Sequence, residues 1–223
     1  MLPVVIAPSI AIAGSTDRFP VRRIFCVGQN YADHAREMGN DPNRQQPFFF
    51  GKPADAVVDN GATLPFPVRT NDLHHEVELV VALGAGGSDI NAKDAIATIY
   101  GSAVGIDLTR RDMQAVAKKT GRPWDMAKGF DRSAPIAALT RGAPPAAGPI
   151  ALTIDGEPRQ AGDLSMMIWS VAEVIAALSR QVELAPGDLI FTGTPAGVGP
   201  ILPGVQVRAT ITDLEPLEIL FDA

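Results

Sequence analysis

Cysteine is almost missing: Cys26, in "RRIFCVGQNY", is the only one among 223 residues. One thiol cannot close a disulfide within the chain, and a cysteine-based structural zinc site is excluded. Set in an apolar run, Cys26 reads as a small core residue, which suits a reducing compartment. Histidine is scarce as well, with only His34, His74 and His75. The string "HHEVEL" fails the H-E-x-x-H zinc pattern, because Leu79 stands where the second histidine belongs. Positive charge is in deficit, with 19 Lys+Arg against 25 Asp+Glu and a net charge of −6. That balance argues against a nucleic-acid surface. Like charges run no further than pairs such as Lys118–Lys119, so there is no acidic or basic tail. No apolar run is long enough to span a bilayer, and no membrane partner is expected. The opening "MLPVVIAPSIAIAGS" lacks a basic leader and is broken by Pro3 and Pro8. It reads as extended chain rather than a targeting signal, and a cytoplasmic location is expected.

What remains is an ordinary globular composition, 46% hydrophobic and 20% charged. The length suggests one large domain or two small ones. We expect an extended segment over residues 1–20 and a single domain over 21–223. "VRRIFCVG" reads as a strand, and "NYADHAREMGNDP" as a short helix stopped by Gly39 with Pro42 beyond. "QPFFFGKPADAVV" looks extended. "SDINAKDAIATIYG" reads as a helix capped by Asn91, with Ile96, Ile99 and Tyr100 on an apolar face. "SAVGIDL" is a strand. Thr109 and Asp112 resemble a capping box that opens "RRDMQAVAKKTG". "IALTIDGEPRQAG" reads as a hairpin turning at Asp155–Gly156. Ser170 and Glu173 form a better capping box, and "VQVRATI" alternates as a strand should. Many strands and about four short helices, irregularly interspersed, predict a strand-dominated mixed α/β fold rather than a doubly wound parallel sheet.

The chemistry concentrates in a few places. "DLHHEVELVVALG" carries Glu76 and Glu78 inside an apolar strand pattern. Alternation points both the same way, roughly 7 Å apart. At an effective dielectric of 20 their charges repel by roughly 2 kcal/mol. Either the strand begins in solvent or a cation sits between them. Only oxygen ligands are at hand, which selects Mg²⁺, Mn²⁺ or Ca²⁺. Asp107, ending "SAVGID", is either a helix N-terminal partner or a third ligand. His34 and Glu37 lie at i and i+3, as a base with its orienting carboxylate or as a surface ion pair. Lys128 in "WDMAKGFD" reads by default as a solvated lysine. "TGTPAGVGP" is a tight glycine-rich loop without the G-K-[ST] of a phosphate loop.

Taken in order, "FCVGQNYADHAREM", "HHEVELVVALG", "GIDLTRRDMQ", "PWDMAKGFDRSAPI", "GEPRQAG", "MIWSV" and "GDLIFTGTPAGVGP" resemble the fumarylacetoacetate hydrolase family over residues 20 to 220. The region from Arg18 to Val58 looks in particular like its bacterial fumarylpyruvate-cleaving members. The resemblance implies a β-roll with short helices, a Mg²⁺ or Mn²⁺ ion and a homodimer. It implies metal ligation by Glu76, Glu78 and Asp107, a His34–Glu37 pair on a lid, and a catalytic Lys128. It also implies substrate contacts from Arg111, Gln114 and Thr194. Gln29 in "VGQNY" departs from the arginine of many relatives and joins the candidate substrate contacts. The implied reaction is hydrolysis of an acylpyruvate, a 2,4-diketo acid such as fumarylpyruvate, in aromatic catabolism. Oxaloacetate decarboxylation, 2-oxo acid isomerisation and a non-catalytic metal-binding scaffold are the alternatives.

Overall fold

The computed structural model describes residues 6–37 and 45–223. The expected helix stop at Gly39 and Pro42 lies outside them. Strands dominate. The largest sheet runs in the spatial order Phe48–Lys52, Arg23–Gly28, Asp188–Phe191, Val77–Leu83, Ile99–Ile106, Ala134–Ile136, Val57–Asp59. It is mixed: Asp188–Phe191 pairs in parallel with Arg23–Gly28, and antiparallel with Val77–Leu83. A second, five-stranded sheet is built from Glu157–Asp163, Pro149–Ile154, Gln206–Ile211, Leu217–Phe221 and Thr63–Leu64.

Val77–Leu83 explains why the layers stack. All seven residues are buried, as in a central strand covered on both faces. Leu79, Val81 and Leu83 enter the larger core with Ile150, Leu152 and Val207 of the second sheet. Val80 and Ala82 enter a second core, where Cys26, Phe191 and Ile136 also lie. Cys26 is the buried core residue expected. The strands Ser9–Ala11 and Arg18–Pro20 pair with each other and send Ile10 and Phe19 into that second core.

Several local readings hold. The hairpin turns at Asp155–Gly156, both with positive φ, as a type I′ turn requires. Ser170 and Glu173 form a reciprocal capping box on helix Val171–Ser179. Others fail. The helix expected over residues 88–101 is only Ala92–Ala95 plus a 3₁₀ turn, and Ile99 and Tyr100 already belong to a sheet strand. Asn91 stands at its N-cap without a side-chain bond. Thr109 and Asp112 make no capping box: the Thr109 hydroxyl donates to the Asp107 carbonyl, while Asp112 accepts from Thr70 and Asn71. Five short α-helices appear among the described residues, against about four expected.

Candidate active site

Strand register assembles the carboxylates. Val77 faces Ile106 and Glu78 faces Gly105 in an antiparallel ladder. Continued by one residue, that ladder sets Glu76 opposite Asp107, and the Asp107 N–H donates to the Glu76 carbonyl at 2.9 Å. Glu76, Glu78 and Asp107 thus share one face, with a ligand atom from each within 4.8 Å of the others. All three are buried, so the strand does not begin in solvent. Asp107 is four residues short of helix Arg111–Thr120 and is no helix-end partner.

Three cations face these three carboxylates. Lys128, which is buried rather than solvated, donates to Glu76 Oε2 and Asp107 Oδ2, each at 2.7 Å. Arg111 reaches Glu76 Oε1 at 2.5 Å and Gln114 Oε1 at 2.6 Å. Lys52 Nζ lies 2.8 Å from Asp107 Oδ1. The same Nζ also donates to the carbonyls of Leu108 and Lys128, so Asp107 Oδ1 is answered by this one ion pair. Burial opposes charge on Glu76, but Lys128 and Arg111 outweigh it and hold that carboxyl well below the usual range. Glu78 has no such cation. Burial, with Asp107 and Glu76 beside it, pushes its carboxyl well above the usual range, and the Gly193 N–H at 2.7 Å and the Lys128 charge oppose this without overcoming it. Three buried carboxylates with ligand atoms within 4.8 Å of one another, one of them a carboxyl crowded by the other two, are what a hard divalent cation would satisfy, so the residues fit such an ion.

His34 of the expected His34–Glu37 pair lines the same cavity. His34, on helix Ala32–Glu37, is buried, with Nδ1 3.3 Å from Glu37 Oε2. It is not a solvent-facing ion pair. A carboxylate only accepts, so Nδ1 carries the hydrogen and Nε2 the lone pair. Burial pushes the ring below its ordinary value, with Glu76 and Glu37 acting in the opposite sense. Both Glu37 oxygens also accept from the Gly197 N–H at 3.2 Å, tying the helix to the glycine-rich loop. That loop is glycine for a reason at Gly193: its φ is +99°, and a Cβ there would come within 2.7 Å of the Asn30 side chain.

The cavity gathers the other expected residues: Arg111, Gln114, Lys128 and Thr194 line it with His34, Glu76 and Glu78, and Gln29 stands at its wall with φ +60°. Three contributors were not among the residues expected from the sequence. Lys52 lay in a stretch read only as extended chain. Lys118 extends the helix face of Arg111 and Gln114 by another turn, a spacing that could have found it. Gln160, in "GEPRQAG", is buried and accepts at Oε1 from Val77 N–H and His75 Nδ1. Its amide nitrogen donates to the Pro195 carbonyl and to Thr194 Oγ1 at 2.8 Å. Backbone partners fix which way the amide points, so Thr194 must accept from it and keeps its own O–H to donate into the cavity.

Comparison with known proteins bears on this arrangement. A family model, fumarylacetoacetate (FAA) hydrolase C-terminal, matches residues 23–219. The fold is similar to that of a crystal structure of fumarylpyruvate hydrolase from Pseudomonas aeruginosa in complex with Mn²⁺ and pyruvate. The two are 49% identical, with a TM-score of 0.96, over 100% of this chain and 99% of that one. A mitochondrial oxaloacetate tautomerase from Arabidopsis thaliana is 41% identical over 203 residues, 90% of this chain and 90% of its own. A mitochondrial oxaloacetate decarboxylase from Dictyostelium discoideum is 39% identical over 199 residues, 87% of this chain and 90% of its own. Among the described residues no helix is long and apolar enough to cross a membrane.

Proposed function

The chain belongs to the fumarylacetoacetate hydrolase family, and from that premise we propose that it is a metal-dependent hydrolase of an acylpyruvate, fumarylpyruvate above all. The observation that carries the reading is a buried His34, its charged form disfavoured by that burial, facing the same cavity as Glu76 and Glu78. A purely structural metal site has no use for such a base. A divalent cation, Mg²⁺ in the proposed form and Mn²⁺ or Ca²⁺ otherwise, would be held by Glu76, Glu78 and Asp107 and would supply Lewis-acid stabilisation of negative charge on the 2-oxo oxygen. His34 Nε2 accepts a proton from water, and the hydroxide formed adds to the 4-carbonyl. Glu37 holds the ring in the tautomer this needs. Lys128 remains a cation, because Asp107 and Glu76 outweigh the effect of its burial. Two of its N–H groups are engaged, and the third is placed to stabilise the oxyanion with Gln114. Breaking C3–C4 leaves its electron pair on the pyruvate fragment as an enolate, and C3 takes up the proton that His34 removed from water, so that the acid and pyruvate are released; for fumarylpyruvate the acid is fumarate. The Thr194 hydroxyl donates to the substrate. A cytoplasmic homodimer working in aromatic catabolism is the finer form of the proposal.

The second reading is tautomerisation or decarboxylation of oxaloacetate, supported by the names of the two mitochondrial relatives. Decarboxylation needs no attacking water at a second carbonyl. The deciding experiment offers fumarylpyruvate, acetylpyruvate and oxaloacetate in parallel to wild type and His34→Ala with saturating Mg²⁺. We expect wild type to hydrolyse an acylpyruvate and His34→Ala to lose roughly 10²- to 10⁴-fold in kcat, the range for a positioned base. Decarboxylation should be retained to a larger extent. Near wild-type hydrolysis by His34→Ala would remove the mechanism.

A further inference from the structure

Helix Arg111–Thr120 presents Arg111, Gln114 and Lys118 to the cavity, at i, i+3 and i+7 on one face. The first of these is bonded to Glu76, so this face starts at the carboxylate cluster. Lys118 lies two turns on, roughly 10 Å along the axis. Among the described residues no carboxylate lies within ion-pair distance of it. What its Nζ has instead is the face of Trp124, 5.2 Å from the ring centroid. Trp124 in turn meets Phe48 edge-on at 5.5 Å and Phe50 at 5.8 Å, and all three rings line the cavity. An aromatic wall of the cavity therefore ends in a cation that makes no ion pair among the described residues.

We propose that Lys118 is the residue that recognises a second, distal carboxylate of the substrate, so that the site selects long 2-oxo dicarboxylates over short ones and over monoacids. This rests on the acylpyruvate reading for the reaction but not for the recognition. The spacing acts as a ruler. In a seven-carbon diacid, six bonds of extended chain at roughly 1.2 Å of advance each separate the terminal carbons by roughly 7 Å. Such a chain reaches from the Arg111 end toward a flexible lysine 10 Å along the helix. In oxaloacetate only three bonds separate the carboxyl carbons, roughly half that span, and its second carboxylate stays near the cluster. The flat, conjugated fumaroyl group suits an aromatic wall, and its terminal carboxylate would then meet the ammonium. Burial and the neighbouring Arg111 cation push the Lys118 ammonium down from its usual value, which an incoming anion would reverse. Position 118 is thus a specificity determinant, away from the reacting carbons.

The test measures affinity without turnover. Calorimetry on Mn²⁺-loaded protein compares 2-oxopimelate, a seven-carbon 2-oxo diacid with no 4-carbonyl to attack, with 2-oxoheptanoate, the same chain without the distal carboxylate. Wild type should bind the diacid about tenfold tighter, the order of one charge-assisted contact at a half-exposed rim. Lys118→Met should abolish that ratio and leave 2-oxoheptanoate affinity and the melting temperature unchanged, while Lys118→Arg should keep it. Equal loss for both ligands, or an unchanged ratio in Lys118→Met, would overturn the proposal. If the ratio behaves as expected but wild type hydrolyses no acylpyruvate, the recognition stands and only the reaction falls.

Discussion

At His34 two effects of opposite sign meet on one ring. Burial disfavours the imidazolium, and the nearby Glu76 and Glu37 carboxylates favour it; burial wins, and the folded-state pKa lies below the ordinary value. A base works when deprotonated, so the acid limb of hydrolysis should have its midpoint below about pH 6.5, where a free imidazole would be half protonated. Glu37→Gln removes a carboxylate that raises this pKa. The limb should therefore move to still lower pH while kcat falls, because the ring is oriented less firmly. Profiles of kcat against pH for both proteins at saturating Mg²⁺ test the sign. A limb that stays put or moves upward in Glu37→Gln means that another group titrates. Gln160 makes a related point about single residues. Its amide, fixed by Val77 N–H and the Pro195 carbonyl, decides what Thr194 can offer a ligand, although Gln160 itself need not touch one.

Among the elements, helix Val171–Ser179 is the one whose start the sequence states most fully. Ser170 accepts from Glu173 N–H, and the Glu173 carboxylate returns to Ser170 N–H at 3.0 Å. Ser170→Ala should cost about 1 kcal/mol, the usual value of such a cap, and about 2–4 °C in Tm at this chain length. Its kcat/KM should not change, because the helix packs Val174, Ile175 and Leu178 into the core rather than lining the cavity. A thermal melt and an assay on the same sample check both. The cap was legible because both partners sit within four residues and an apolar face follows. The same spacing misled at Thr109 and Asp112. There the distant Thr70 and Asn71 claim the Asp112 carboxylate, and no local pattern reports them. "SDINAKDAIATIYG" misled for another reason. Its apolar residues fit a helical face, but Ile99 and Tyr100 are taken by pairing in the large sheet, a tertiary preference that overrides local propensity. Alternation served better for "VQVRATI", whose buried Val207, Ala209 and Ile211 were readable directly.

Across the whole molecule, the candidate metal site joins parts that are far apart in the chain. Glu76 and Glu78 come from one strand region and Asp107 from the end of its neighbour. Lys52 stands on an outer strand, Lys128 on a short helix, and the Gly193 N–H on the glycine-rich loop. The trio could be suspected from sequence because two of its members stand two residues apart in one apolar run. Lys52 could not, since its partners lie more than fifty residues away and its own segment reads as plain extended chain. An ion binding this cluster would bind the folded chain alone, because the unfolded chain has no such convergence. Its binding free energy then becomes stability. At a free concentration one hundred times Kd the gain is about 2.7 kcal/mol, or roughly 5–10 °C in Tm for a chain of this size. Chelated protein should therefore melt lower than protein given Mg²⁺ or Mn²⁺. Glu78→Gln separates this from a general salt effect. It removes one ligand charge, so the metal-dependent rise should shrink or vanish. It also relieves the crowding of Glu78 by Asp107 and Glu76, so the chelated variant should melt no lower than chelated wild type. The amide can still accept from Gly193 N–H, which keeps the backbone contact. Scanning calorimetry of both proteins, with chelator and across a metal titration, reads all four conditions. A wild-type Tm indifferent to metal, or a Glu78→Gln variant that responds as fully as wild type, would mean that the lysines and Arg111 alone balance these carboxylates.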